Sequence, residues 1–236
     1  MLEKVQQGTD ARVGLHRWDS VTRATREWFY RLAALVALAV LAPLLVFLAL
    51  AVFIDDGGPI LYRQNRVGRR NRLFPLLKFR SMRNGMAGPA ITASADPRIT
   101  RTGAILRKYK LDELPQLWNV VRGEMSVVGP RPEVPKYVDY TDERWQRVLE
   151  DLPGLTDLAT LVYRDEEARL ARVSDRETFY REVLLPDKLE LNLCYQRSRT
   201  FLSDLKLILA TARYSFLPGG FDAAAIRKTL LEDLGE

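Results

Sequence analysis

The chain has 236 residues, enough for one domain of ordinary size or a small domain with an appendage. Lys and Arg number 36 against 30 Asp and Glu, and the net charge of +6 favours anionic partners: nucleic acid, an anionic membrane or a phosphorylated small molecule. The single histidine, His16, and the single cysteine, Cys194, argue against a zinc site, an internal disulfide and a histidine-activated nucleophile. Acid–base or covalent chemistry must therefore depend on carboxylates, with Lys, Tyr or a metal ion assisting. Cys194 itself lies in an apolar-periodic run and is expected to be a small buried residue.

An uncharged run covers residues 32–54 and reads LAALVALAVLAPLLVFLALAVFI. As a helix it would extend about 35 Å, enough to cross a hydrocarbon core of about 30 Å. Trp28, Phe29 and Tyr30 precede the run and Tyr62 follows it, as in the aromatic belts of membrane interfaces. A buried helix of a soluble core is the alternative, and the length of the run favours the membrane.

Pro43 lies at the centre of this run and predicts a kink, because proline removes a helix hydrogen bond and clashes with the preceding turn. Basic residues lie on both sides of the run, and positive charge marks the cytoplasmic side of a membrane. Charge alone leaves two structures open. One is an ordinary kinked transmembrane helix, and the other is a re-entrant hairpin that bends at Pro43 and leaves by the face it entered.

The remaining sequence predicts a β-hairpin followed by short helices. The hairpin has an extended segment to Val67, a turn at residues 68–71 and a second segment through Phe79. Residues 84–100 predict a mobile loop, and helices are predicted over 101–110, 114–125 and Thr141–Leu152 and after a capping box that begins at Ser174. The apolar stripe of residues 202–216 fits core packing or a membrane interface. No linker divides residues 56–236, so the predicted domains are 1–55 and 56–236.

Asp112 and Glu113 stand side by side in KLDELPQLWNVV, just after several basic residues. Pro115 is tolerated only in the first turn of a helix, so the helix is predicted to start between Leu111 and Leu114. Acidic residues are common at that position and often only cap the helix. The adjacent cations offer a phosphate site, however, and an ionised Asp112 could attack phosphorus with a divalent cation neutralising the charge.

Three blocks of the sequence carry a family resemblance. They are GPILYRQNRVGRRNRLFPLLKFRSMR, ITRTGAILRKYKLDELPQLWNVVRGEMSVVGPRPE, and PGLT followed by LELNLCYQRSRTFLSDLKLI. In this order they resemble the bacterial sugar transferase family, the small monotopic phosphoglycosyl transferases, over nearly the whole chain from the apolar run onward. The resemblance implies an α+β, mostly helical fold. It would comprise a re-entrant membrane helix hairpin bent at Pro43 and interfacial amphipathic helices around a small catalytic domain with a β-hairpin.

The resemblance also implies the reaction and its location. Such enzymes act at the cytoplasmic face of the bacterial inner membrane and move a sugar-1-phosphate from a UDP-sugar to polyprenyl (undecaprenyl) phosphate, releasing UMP. Asp112 would be the nucleophile, forming a phosphosugar-aspartate, and a ligand of Mg²⁺. Glu113 would support the metal or the deprotonation of the acceptor. The substrate-binding residues implied by the match are Lys78, Arg80, Ser81, Arg107 and Arg131.

The chain departs from the family in two places. Ala42-Pro43 replaces the usual Ser-Pro at the bend, and PGLTDLATLVYRDEE replaces the frequent PGITG-type stretch, so Asp157, Tyr163, Arg164 and the following acids could change which sugar or base is read. A non-catalytic, membrane-anchored basic module that binds anionic lipid or other polyanions is the alternative function. Sparse interleaving of aromatic and basic residues disfavours nucleic acid as a partner. The identity of the sugar and the oligomeric state, a homodimer included, stay open.

Overall fold

The computed structural model describes residues 2–83, 85, 96–217 and 222–234, and this part of the chain is mostly helical with two small sheets. The loop predicted over residues 84–100 lies largely outside the described residues; the turn at its end pairs Met82 with Ile99. The predicted α+β, mostly helical class is thus confirmed at this coarse level.

Helix α1, Leu2–Asp56, contains the whole apolar run and continues through Pro43. Its apolar side chains are largely exposed, among them Val40 at 72% and Ile54 at 82%. Within the described residues α1 is the one helix long and apolar enough to cross a membrane. The residues on both sides of Pro43 belong to this single helix, so the re-entrant hairpin stays a prediction.

The predicted β-hairpin is confirmed. Strands β1, Leu61–Val67, and β2, Leu73–Phe79, pair antiparallel, with Leu61 opposite Phe79 and Val67 opposite Leu73. The turn between them, Arg69–Asn71, places Arg70 and Asn71 in the left-handed region. The hairpin follows α1 directly, so it brings β2, with Lys78 near its end, back towards the end of the apolar helix.

Short helices and a two-stranded parallel sheet complete the body. Strand β3, Ser126–Val128, pairs with β4, Gly154–Thr156. The other helices are α2, Arg101–Lys108; α3, Gln116–Arg122; α4, Glu143–Val148; α5, Leu158–Val162; α6, Glu166–Leu170; α7, Arg176–Phe179; α8, Leu185–Ser198; α9, Phe201–Phe216; and α10, Ala223–Leu234. A π-helical turn, Tyr180–Leu184, joins α7 to α8.

Several predicted helix boundaries were wrong in detail, since the helix predicted over 101–110 ends at Lys108 and the one predicted over 114–125 covers only Gln116–Arg122. Helix α4 is shorter than Thr141–Leu152, because Asp142 caps it and Leu149 leaves helical geometry. The cap of α7 is Asp175 rather than Ser174, since its carboxylate accepts hydrogen bonds from both the N–H and the hydroxyl of Thr178. The prediction that Cys194 is buried is confirmed.

Around the start of the apolar run, α1 is packed onto the body through buried contacts. Tyr30 and Ala34 share a core cluster with Phe74 of β2 and with Val120 and Met125. The hydroxyl of Tyr30 also donates a 2.6 Å hydrogen bond to the fully buried carboxylate of Asp204 on α9. Helix α1 is therefore an integral part of the folded structure at its entry into the apolar run.

The far end of α1 is held at two points. Arg80 donates hydrogen bonds to the carbonyls of Asp56 and Gly57, each at 2.7 Å, and its guanidinium lies 3.3 Å from the Asp56 carboxylate. Asp55 accepts a 2.7 Å hydrogen bond from the backbone N–H of Thr102, in the first turn of α2. The end of the apolar helix and the start of α2 are thus joined directly.

Candidate active site

Asp112 and Glu113 lie in a 3₁₀ turn, Leu111–Glu113, that precedes α3. Lys110 before the turn is in the left-handed region, with φ 57°. Pro115 has no N–H, and the N–H of Leu114 bonds to the carbonyl of Leu111, so the regular helix begins only at Gln116. The predicted start at Leu111 to Leu114 therefore holds for a helical turn but was wrong for the α-helix. Because α3 has only seven residues and begins after the acidic pair, its dipole does not account for the charge of Asp112 and Glu113.

Glu113 is held by two cations. Arg131 donates to both of its oxygens, at 2.5 and 3.2 Å, and the ammonium of Lys78 lies 3.0 Å from Oε1. Burial raises the pKa of Glu113, but the Arg131 and Lys78 charges outweigh it and hold the pKa well below its usual range. Glu113 is thus an ionised carboxylate whose lone pairs are largely occupied.

Asp112 has the opposite environment. Its side chain is buried, with the residue 6% exposed, and Oδ1 has no hydrogen-bond partner among the described residues. Burial, reinforced by the negative charge of Glu113, raises the pKa of Asp112, while Lys78, Lys110 and Arg107 oppose that rise. Asp112 thus combines a buried, unpartnered carboxylate oxygen with a raised pKa and nearby cations, which is an arrangement that a nucleophile can use.

Arg131 is positioned by the parallel sheet and by Asp157. Its backbone N–H donates a 2.7 Å hydrogen bond to Asp157 Oδ2, while Asp157 also caps α5. The chain before it approaches β4 so closely that a Cβ on Gly129 would lie 2.3 Å from the carbonyl oxygen of Leu152. Only glycine allows this approach, which brings the Pro130-Arg131-Pro132 element to the acidic pair.

Arg107, at the last turn of α2, does not contact Glu113 directly; its Nη2 donates a 2.5 Å hydrogen bond to Glu167 of α6. Helix α2 is set in place at its start, where Thr100 caps the N–H of Gly103 and the Asp55 contact adds a second acceptor. A Cβ on Gly103 would lie 2.1 Å from the carbonyl oxygen of Ser81, so α2 packs against the chain that follows β2.

The five predicted substrate-binding residues fall into three groups. Lys78 and Arg131 meet at Glu113, and Arg107 acts electrostatically on Asp112 from α2. Arg80 and Ser81 serve the scaffold. Arg80 is buried against the end of α1, and the carbonyl of Ser81 accepts from Thr100 at 3.1 Å. Within the described part of the chain, Nε and Nη1 of Arg80 make no hydrogen bond.

The acidic pair offers few protein ligands to the predicted Mg²⁺. Among the residues that the structure describes, no group of three or more His, Cys, Asp or Glu side chains could hold a metal. Mg²⁺ keeps several waters and often binds through one or two carboxylates together with substrate phosphates. The free Oδ1 of Asp112 fits that requirement, whereas the oxygens of Glu113 are already engaged by Arg131 and Lys78.

The partners of Arg131 and Arg107 could not be predicted from the sequence. Asp157 and Glu167 were noted only as part of a divergent segment, and they bond residues 26 and 60 positions away in the chain. Local spacing carries no signal for pairs at this distance. The signal that was available was the departure of PGLTDLATLVYRDEE from the usual pattern.

Comparisons with known proteins agree on the same family. A family model described as "Bacterial sugar transferase" matches residues 21–217. The chain is 35% identical over 208 residues to an undecaprenyl-phosphate glucose phosphotransferase of Komagataeibacter xylinus, covering 84% of this chain and 36% of that protein. It is 33% identical over 180 residues to a UDP-N-acetylgalactosamine-undecaprenyl-phosphate N-acetylgalactosaminephosphotransferase of Aeromonas hydrophila, covering 73% of this chain and 42% of the relative.

A third relative is a UDP-glucose:undecaprenyl-phosphate glucose-1-phosphate transferase of Caulobacter vibrioides. It is 38% identical over 184 residues, which cover 76% of this chain and 65% of that protein. The chain thus spans from about a third to less than two thirds of the length of these relatives. The family-model match over residues 21–217 includes the acidic pair and each of the cations described above.

Proposed function

The chain belongs to the bacterial sugar transferase family, and from that premise we propose that it transfers a sugar-1-phosphate from a UDP-sugar to undecaprenyl phosphate. The observation that carries the proposal is the contrast within the acidic pair. Glu113 is neutralised by Arg131 and Lys78, while the buried Oδ1 of Asp112 has no partner among the described residues. The names of the relatives support the acceptor and the class of donor.

In the proposed reaction, a carboxylate oxygen of Asp112 attacks the phosphorus that carries the sugar. A bond forms between this oxygen and phosphorus, and the bond from phosphorus to the oxygen bridging the diphosphate breaks, so UMP leaves with that oxygen. An oxygen of the lipid phosphate then attacks the same phosphorus and breaks its bond to Asp112. The products are a polyprenyl-diphosphate-linked sugar and the regenerated carboxylate.

The cations around the pair would assist both steps. Lys78 and Arg131 keep Glu113 ionised and supply positive charge next to the phosphates, and Arg107 approaches from α2. Glu113 in turn holds Arg131 in a two-point contact that limits its motion. When bound, Mg²⁺ would neutralise charge between the Asp112 carboxylate and the phosphates.

The proposed location is the cytoplasmic face of the bacterial inner membrane. The exposed apolar side chains of α1 would be covered by lipid, with the helix bent at Pro43 so that both ends lie on the same side. Helix α9 would lie at the interface, since it exposes Phe201, Leu202 and Leu209 on its surface.

The test is UMP release from a panel of UDP-sugars with undecaprenyl phosphate and Mg²⁺, comparing the wild type with Asp112→Asn. We expect release by the wild type alone, and phosphosugar labelling of the wild type that maps to Asp112. Release by the Asp112→Asn variant at the wild-type rate would contradict the nucleophile assignment. Absence of release from any donor, with lipid binding that weakens steeply with salt, would instead favour the non-catalytic binding module.

A further inference from the structure

The guanidinium of Arg107 is paired with a side chain of the divergent segment. Its Nη2 lies 2.5 Å from Glu167 Oε1, and this is a one-point contact. The Nε of Arg107 is buried and unpartnered in the part of the chain that the structure describes. One edge of the guanidinium is therefore half occupied.

The single contact with Glu167 does not satisfy the hydrogen-bonding capacity of the Arg107 guanidinium. Guanidinium groups bind anions best through two parallel N–H donors, and a buried donor without an acceptor is unfavourable because it has lost its hydrogen bonds to water. A phosphate group offers enough oxygens to satisfy both nitrogens of this edge. An anion that presents two oxygens here would accept hydrogen bonds from both Nε and Nη2 of Arg107. Glu167 in its present position accepts only from Nη2.

Glu167 is also the member of the pair that can leave. Its side chain is 37% exposed, against 18% for Arg107, so its carboxylate can return to water at little cost. Helix α6 itself is anchored by the buried Leu170 and by the ion pair of Glu166 with Lys188. Rotation of the Glu167 side chain is therefore sufficient, and the backbone can stay where it is.

We propose that Glu167 is a built-in competitor for the phosphate site at Arg107, which an incoming diphosphate displaces. The inference rests on the proposed function in one respect, that Arg107 receives a substrate phosphate. Glu167 keeps the guanidinium neutralised while the site is empty. An incoming anion must displace this carboxylate from Arg107 in order to bind. Glu167 therefore lowers the affinity for weakly binding anions and favours ligands that contact both Nε and Nη2 of Arg107.

The test measures binding of inorganic pyrophosphate by calorimetry in magnesium-free buffer, using the full chain in lipid nanodiscs. We expect Glu167→Gln to tighten binding about threefold, the size typical of a lost, partly exposed ion pair. The matched control is Asp165→Asn, which removes the same charge from the start of the same helix but whose partner is Arg169. This control should bind pyrophosphate as the wild type does.

A second pair of variants ties the effect to Arg107. In an Arg107→Gln background, the additional Glu167→Gln change should give no gain in affinity. With UDP-sugar donors, Glu167→Gln should lower KM by a similar factor and leave kcat unchanged. Glu167→Ala, which also removes the acceptor, should behave like Glu167→Gln.

Weaker or unchanged pyrophosphate binding by folded Glu167→Gln would overturn the proposal and make Glu167 a positioning partner of Arg107. The UMP-release assay keeps the two proposals separate. Tighter pyrophosphate binding without UMP release from any donor would support the role of Glu167 and contradict the proposed transferase reaction. UMP release by the wild type, without tighter pyrophosphate binding by Glu167→Gln, would support the transferase reaction and contradict the role proposed for Glu167.

Discussion

Asp112 and Glu113 are adjacent in the chain but have different electrostatic surroundings. The carboxylate of Glu113 is matched by Lys78 and Arg131, whereas the Oδ1 of Asp112 is buried with no partner among the described residues. The fold therefore stabilises the ionised form of one acid and destabilises that of the other. Opposite shifts in adjacent carboxyls are a common sign of a division of roles in catalysis.

This difference predicts opposite effects on stability at neutral pH. Asp112→Asn should raise the free energy of unfolding by about 1 kcal/mol, because it replaces a buried charge by a neutral amide. Glu113→Gln should lower it by about 3 kcal/mol, because Lys78 and Arg131 lose their anionic partner. For a domain of this size, about 1 kcal/mol moves the Tm by about 2–4 °C, which thermal unfolding in detergent can resolve.

The pH dependence of the Asp112→Asn effect provides the check. Because the pKa of Asp112 is raised in the folded state, its destabilising effect is full above that pKa and disappears as the pH falls towards the ordinary value. The Tm advantage of Asp112→Asn should therefore shrink on acidification. Asp165→Asn, at an exposed position, is the control. A variant less stable than wild type at neutral pH would contradict this account.

At the scale of elements, Asp204 joins three parts of the chain. Its carboxylate accepts 2.6 Å hydrogen bonds from Tyr30 of α1 and Tyr195 of α8, and it pairs with Arg199 at 2.9 Å. Arg199 also donates to the carbonyl of Val128 in β3. A fully buried carboxylate with this many donors is satisfied by the fold, and it couples the apolar helix to the parallel sheet.

The two tyrosines offer a matched comparison. Tyr30→Phe and Tyr195→Phe each remove one hydrogen bond to the same carboxylate, so each should cost about 1 kcal/mol of stability. Only Tyr30→Phe releases α1, so hydrogen exchange over residues 23–34 should increase in that variant and stay near the wild-type rate in Tyr195→Phe. Equal exchange over this segment in both variants would show that the bond from Tyr30 does not hold α1.

Elements defined by local chemistry were predictable, and those that depend on distant contacts were not. The β-hairpin follows from two extended segments around the turn at residues 68–71, and the structure has it with the predicted ends at Val67 and Phe79. The proline that indicated a helix start also delays the regular helix to Gln116, because its missing N–H favours a 3₁₀ turn first. The buried role of Arg80 at the end of α1 had no local signal, since its partners lie 23 and 24 residues earlier.

For the whole molecule, the question is how α1 lies in a membrane. The sequence predicted the apolar run and the proline, and the structure places both within one helix. Neither the charge pattern nor the contacts within the chain can define the bend, because the curvature of an exposed apolar helix depends on lipid that surrounds it.

Single cysteines on both sides of the run test the predicted re-entrant bend. Trp28 and Tyr62 are exposed, at 69% and 49%, and can be replaced by cysteine in a Cys194→Ser background. A membrane-impermeant maleimide added to intact spheroplasts should label neither position, and permeabilisation should expose both. Labelling of one position alone in intact cells would show that α1 spans the membrane and would contradict the bend.

The junction between α1 and α2 determines how the protein would meet the proposed lipid-phosphate acceptor. Since the carboxylate of Asp55 fastens the end of the apolar helix to Thr102 in the first turn of α2, Arg107 lies about 8 Å further along the axis of α2 from that contact. With the helix in lipid, the Asp112 carboxylate, the proposed nucleophile, would be held at a set height above the bilayer surface. Encounter with a lipid-borne phosphate then becomes a search in two dimensions. Turnover should follow the mole fraction of that lipid in the surface, so that diluting it with inert lipid slows the reaction while diluting the whole suspension with buffer does not.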